Sequence, residues 1–164
     1  MSKKTRIALS VSLALACGLA GAQSATITER SISLDAAMEL AKAGLEACRA
    51  NGYKVSVTVI NRHARTSVVL SEDGVNPHTV ENSMRKAYTS FTTKGPSGDV
   101  GKRLHPQFES FMALDKITAL EGGLPIFAGK ELVGAIGISG APGGEKDAAC
   151  AQVGLDKIAK ALGN

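Results

Sequence analysis

From Ser31 onward the chain alternates between two hydrophobic rhythms. Leu34, Met38, Ala41, Leu45 and Cys48 recur at spacings of four, three, four and three, the stripe of an amphipathic helix. Ser33 is placed to cap its start and Asn51-Gly52 to end it, so Cys48 faces inward. "VSVTVI" (55–60) and "TSVVL" (66–70) are β-branched runs separated by the polar "NRHAR", which predicts a hairpin. Beyond the polar loop "SEDGVNPHT", Val80, Met84, Ala87 and Phe91 mark a second helix, entered through Asn76-Pro77 or capped by Thr79. "TTKGPSGDVG" reads as a flexible connection, residues 106–114 as a short third helix and residues 117–120 as a short strand. "GGLPIF", "AGK" and "ELVGAIGIS" form a second hairpin with Gly129 in its turn. A last helix from about Glu145 carries Ala148, Ala151, Leu155, Ile158 and Leu162 on one face.

The predicted order is α-β-β-α-α-β-β-β-α. Hairpins in place of regular βαβ units predict an antiparallel sheet with helices packed on it, an α+β domain. A chain of 164 residues, 44% of them hydrophobic, suits one such domain.

The first 22 residues differ from the rest. Lys3, Lys4 and Arg6 form a basic start, "IALSVSLALACGLA" an apolar stretch and Ala20-Gly21-Ala22 a small-residue cleavage site, the three parts of a secretory signal peptide. Residues 1–22 are thus expected to be removed, leaving residues 23–164 as a single domain in the periplasm or outside the cell. Lipidation at Cys17 is the alternative, disfavoured because Ala14 replaces the usual leucine and a better cleavage site follows. No other stretch approaches the roughly 18 apolar residues of a membrane span, so no stable membrane insertion is expected.

Removing the leader deletes three basic residues and no acidic ones, lowering the formal charge from +4 to +1. The basic balance therefore says nothing about nucleic acid. Two Tyr, four Phe and no Trp leave little for base stacking either, so no nucleic-acid partner is expected. Two cysteines remain, Cys48 and Cys150, in a chain bound for an oxidising compartment. A Cys48–Cys150 disulfide is the obvious pairing, with two buried free thiols as the alternative left open by sequence.

The glycines of "VGAIGISGAPGG" fit neither the dinucleotide fingerprint nor the P-loop, since Gly134, Gly137 and Gly140 are spaced by three and Gly144 is followed by Glu145. In a strand, Gly134 and Gly137 point to opposite faces and thin the sheet on both. Close packing or irregular strand geometry explains them more simply than a flat ligand does. Gly143-Gly144 offers N–H groups to an anion, although Asp147 already complements that helix terminus.

No histidine sits in a metal-ligand spacing. His63 in a hairpin turn and His105 before Pro106 read as solvated. His78 stands at the start of the second helix, where an imidazole either faces a cleft or meets solvent. Lys86, Tyr88 and Thr89 read as a solvated helix face with one partly buried ring. Without G-x-S-x-G or a convincing Ser/His/Asp set, the residues support a small secreted binding domain better than an enzyme.

"MRKAYTSF" (84–91), "DGVNPHT" (73–79) and the long run from Glu121 to Ile158 together resemble the GlcG/HbpS-like family of haem-degrading or haem-binding domains, over about residues 31–162. The resemblance implies an antiparallel five-stranded sheet flanked by helices, assembly into homo-oligomers, and haem as cofactor. Its helix motif maps onto Lys86, Ala87 and Thr89, and its strand motif onto Gly122, Gly123, Pro125, Gly134, Gly137 and Ser139. One departure stands out. Members often carry Asp-x-x-Gly in the first hairpin turn, where this chain has Asn61 and Ala64, losing a carboxylate and placing a Cβ in a tight turn.

With that resemblance, the expected function is an exported haem-binding protein that sequesters or delivers haem or serves a sensor. His78 is the expected iron ligand, with Lys86 and Thr89 lining the same pocket or meeting a propionate. The alternatives are a haem-degrading enzyme and a haem-free module that binds a small organic acid or a partner protein.

Overall fold

The computed structural model describes residues 24–163. The expected leader, Cys17 and the first residue after cleavage, Gln23, lie outside them. The elements run α1 (Leu34–Ala50), β1 (Ser56–Asn61), β2 (Thr66–Ser71), α2 (His78–Thr93), α3 (Val100–Arg103), α4 (Phe108–Met112), β3 (Gly123–Ala128), β4 (Glu131–Ser139) and α5 (Gly144–Leu162).

Ser33 caps α1 as expected, its Oγ accepting from the Ala36 N–H at 3.2 Å. Asp35 near the start and Arg49 near the end suit the helix dipole. The buried face keeps Ala41, Leu45 and Cys48 of the expected stripe but turns away from its first two members. Leu34 and Met38 are 61% and 45% exposed, while Ala37, Leu40, Ala41, Gly44, Leu45 and Cys48 are buried. Small residues decide the rotation because α5 and β4 lie close: a Cβ on Gly154 would stand 2.7 Å from the Leu40 carbonyl, and one on Gly44 3.0 Å from Ile138 of the sheet.

Both hairpins form where the pattern puts them, and β1 joins β4 in one antiparallel sheet of order β2-β1-β4-β3. The sheet has four strands, not five. Residues 117–120 form no strand because side chains take their backbone groups: Thr118 N–H donates to Thr89 Oγ1 at 2.9 Å, and Ser97 Oγ donates to the Leu120 carbonyl at 2.6 Å. The connection read as flexible is anchored. It holds a 3-10 turn at Ser97–Asp99 and leads into α3, with Ser97 and Val100 fully buried. The third helix is the shorter Phe108–Met112.

Alternation along the strands sends side chains to two unlike layers. Val55, Val57, Val59, Ile136 and Ile138 pack with Leu40, Leu45, Ala151 and Ile158 in an apolar core beneath α1 and α5. Each large side chain buried there stabilises by about 1.5–3 kcal/mol. Cys48 and Cys150 close that layer as a disulfide between α1 and α5, with Cα atoms 5.5 Å apart. Bridging 102 residues, it removes on the order of 4–5 kcal/mol of loop freedom from the unfolded chain in the chain-entropy picture. On the other face lies α2.

Candidate functional site

Helix α2 buries Thr79, Ser83, Lys86, Ala87, Thr89 and Ser90, while Val80 of its apolar stripe is 39% exposed. It can do so because the sheet beneath is polar and has gaps. A Cβ on Gly137 would overlap the Ser83 carbonyl oxygen and stand 2.6 Å from the Ala87 nitrogen, and one on Gly123 would overlap the Lys86 carbonyl. The glycines thus let helix backbone touch sheet backbone.

Hydroxyls fill the seam. Thr79 gives its one proton to the Asn76 carbonyl at 2.7 Å, so the proton at 2.9 Å between Ser56 and Thr79 belongs to Ser56. Ser71 then donates to Ser56 at 3.0 Å. By the same logic Ser83 donates to the Val80 carbonyl and Thr58 donates to Ser83 at 2.7 Å.

A buried ion pair continues this seam. Lys86 Nζ donates to Asp147 Oδ2 at 2.7 Å and to the Ile138 carbonyl at 2.9 Å, with both side chains 3% exposed. Asp147 Oδ1 accepts from the Ala141 N–H at 3.0 Å. Burial pushes the Asp147 carboxyl above its ordinary range, against the opposing pull of Lys86.

Above the pair opens a hollow of about 440 Å³, lined among others by His78, Asn82, Glu121 and Gly144. An adjoining hollow of about 370 Å³ shares His78, Asn82 and Leu120 and adds Glu81 and Arg85. Both volumes fall in the range of small-ligand sites. His78 is exposed at the first turn of α2, and Asn82 is fixed by donating to Ser139 Oγ at 3.0 Å. Arg85 pairs with Glu81 at 2.8 Å.

The structure brings His78 and Lys86 to one hollow. Thr89 does not line it; its hydroxyl accepts from the backbone of Thr118. Lys86 already gives its charge to Asp147, so Arg85 is the guanidinium placed beside His78. His63 lies in the β1–β2 turn with Nε2 3.9 Å from Glu29, and His105 is exposed. Among the described residues no three of His, Cys, Asp and Glu come close enough to hold a bare metal ion, and no helix is long and apolar enough to cross a membrane.

The turn expected to miss its carboxylate is intact. Asn61 Oδ1 accepts from the N–H groups of His63 and Arg65 at 3.0 and 3.1 Å, and Ala64 takes a left-handed φ of 55°. An amide oxygen does the acceptor's work there. Asp147 is the residue that sequence reasoning passed over as a dipole complement. The signal was Lys86 itself, a lysine amid the small residues Ser83, Ala87 and Ser90, which in a buried stripe requires a counter-charge.

Solved structures share this architecture. That of HbpS is 33% identical, with a TM-score of 0.76 over 80% of this chain and 93% of that one. A double mutant of Streptomyces reticuli HbpS is 32% identical, with a TM-score of 0.77 over 87% and 97%. PduOC, solved as a haem complex, is 22% identical with a TM-score of 0.70 over 78% and 95%, a likeness of fold. No curated protein matches the chain significantly. A family model described as "Haem degrading protein HbpS-like" matches residues 32–156, most of the described chain, and the chain belongs to that family.

Proposed function

We propose that this chain is an exported haem-binding protein that sequesters haem, delivers it or presents it to a sensor partner, with His78 as the iron ligand. The observation that carries the reading is the exposed His78 imidazole at the shared wall of two adjoining hollows, in a chain whose family is named for haem. The donor set fits. Haem iron already has four ring nitrogens and takes a single imidazole, so the lack of a three-residue metal cage among the described residues is no obstacle. Bound haem would supply a redox-active iron and a flat apolar ring.

The chain's own residues then divide the work. His78 binds at the mouth, Arg85 can exchange Glu81 for a propionate, and Asn82 is held in place by Ser139. Lys86 and Asp147 neutralise one another beneath the hollow and keep its floor rigid. Export is supported by the leader pattern and by a disulfide suited to an oxidising compartment. Exposed Val80 and half-buried Met84 on α2 supply an apolar face for homo-oligomer contacts.

Haem titrated into residues 23–164 tests the reading. A saturable Soret shift that His78→Ala abolishes is the expected result. No shift in the parent protein would overturn it and leave the small organic acid or partner-binding module. The family's description favours a second reading, haem breakdown, and the same sample separates the two. With reductant and oxygen a carrier keeps its Soret band, whereas a degrading enzyme loses it and releases iron.

A further inference from the structure

Lys86 is the single buried lysine among the described residues, and it also lines the hollow of about 440 Å³. Burial and access thus meet at one amine. Among those residues its Nζ has two acceptors within hydrogen-bond distance, Asp147 Oδ2 at 2.7 Å and the Ile138 carbonyl at 2.9 Å. An ammonium has three protons, so one N–H remains for a group that enters the hollow. Both side chains are held closely in place, since a Cβ on Gly122 would stand 3.0 Å from Lys86 Nζ and 2.8 Å from Asp147 Cβ.

An amine must lose a proton before it can act as a nucleophile. At pH 7 an exposed lysine, with a pKa near 10.4, is unprotonated in roughly one molecule in 2,500. Lys86 has a proton acceptor at the end of its 2.7 Å hydrogen bond, and burial disfavours the charged form of both partners. The Asp147 carboxyl stands above its ordinary range because of that burial, even against the pull of Lys86. A desolvated lysine beside a proton acceptor is suited to attack a carbonyl.

The rest of the wall limits what can enter. Asn82 and Ser139 are polar, and Glu121 is an exposed carboxylate with no ion-pair partner among the described residues. With Lys86 and Asp147 cancelling one another, Glu121 leaves the hollow negative, which repels a second carboxylate. We infer that Lys86 is a covalent binding site for a small, uncharged, hydroxylated aldehyde, held as an imine. Nζ bonds to the carbonyl carbon, and Asp147 relays two protons from nitrogen to the carbonyl oxygen, which leaves as water. A C=N bond replaces C=O, and nothing is oxidised or reduced. The protonated imine keeps its positive charge against the Asp147 carboxylate. This goes beyond the haem reading and stands without it.

Glyceraldehyde with sodium cyanoborohydride, which reduces imines and spares the disulfide, is the probe for residues 23–164, and peptide mass spectrometry locates the adducts. Lys86 should be modified roughly tenfold faster than the exposed Lys94 and Lys130. Unfolding cannot imitate this result, because in an unfolded chain Lys86 reacts no faster than any exposed lysine. The anionic aldehyde glyoxylate should lose the preference for Lys86, and Glu121→Gln, at an exposed position, should restore part of it. Labelling of Lys86 no faster than that of Lys94 and Lys130 would overturn the inference and leave the buried pair purely structural. An equal preference for Lys86 with glyoxylate in the parent protein would overturn the assignment of an uncharged ligand.

Discussion

Val57 and Thr58 are neighbours on β1, fully buried, and have little else in common. Val57 enters a layer of aliphatic side chains closed by the Cys48–Cys150 disulfide. Thr58 enters a seam where hydroxyls donate hydrogen bonds to one another, glycines admit a helix backbone, and a lysine faces an aspartate. The first layer holds by area and is non-directional, so many side chains of similar volume would serve. The second holds by pairing, and each member depends on its partner. Both hollows lie along α2, beside the second layer. Aliphatic burial and the disulfide lie on one side of the sheet, and the paired polar groups and the hollows on the other.

That contrast is broken most severely at the ion pair. Lys86→Met leaves a buried carboxylate without its counter-charge and should cost about 3–5 kcal/mol in urea unfolding. Adding Asp147→Leu should recover most of the loss. A Lys86→Met cost no larger than that of an exposed lysine would show that this seam does not depend on pairing.

On the apolar side the corresponding break is the disulfide. Replacing Cys48 and Cys150 together by alanine should lower stability by about 2–5 kcal/mol. Haem affinity measured below the melting temperature should stay at the parent value, because neither cysteine lines the hollows beside His78. Lost affinity in a folded double variant would show that the two layers are coupled.

The smallest effect is a pH slope. Burial raises the Asp147 pKa above its unfolded value of about 3.9, so between those two values the folded protein binds a proton that the unfolded chain does not. The contribution of this group to stability is therefore full below pH 4 and declines as pH rises through that interval. Asp147→Asn should remove the slope. Lys86→Met should extend the interval upward, because Lys86 pulls the carboxyl down, so its deficit should shrink when unfolding is measured at pH 5 instead of pH 7. A deficit independent of pH would mean that Asp147 stays ionised without Lys86.

Much of the fold was legible because it is written locally. The Ser33 cap, both hairpins and the last helix depend on residues within a few positions of one another. What escaped the pattern was a competition between local and distant partners. Residues 117–120 look like a strand, yet Thr89 and Ser97 take their backbone groups. At the candidate site the position of His78 at a helix start was readable. Lys86 looked solvated because lysine on a helix usually is.

By itself the sequence determined where the three long helices and the two hairpins form, because hydrophobic period, caps and turn residues act over a few positions. It also reduced the cysteines of the expected mature chain to two, so that a disulfide had only one possible pairing. Tertiary structure decided the final rotation of α1 and α2, exposing Leu34, Met38 and Val80, since that depends on how closely a second element approaches at Gly44, Gly137 and Gly154. It also joined Lys86 to Asp147 across 61 positions and opened the two adjoining hollows beside His78. Burial creates the need for a counter-charge, and burial is a property of the folded chain, not of any single stretch of it.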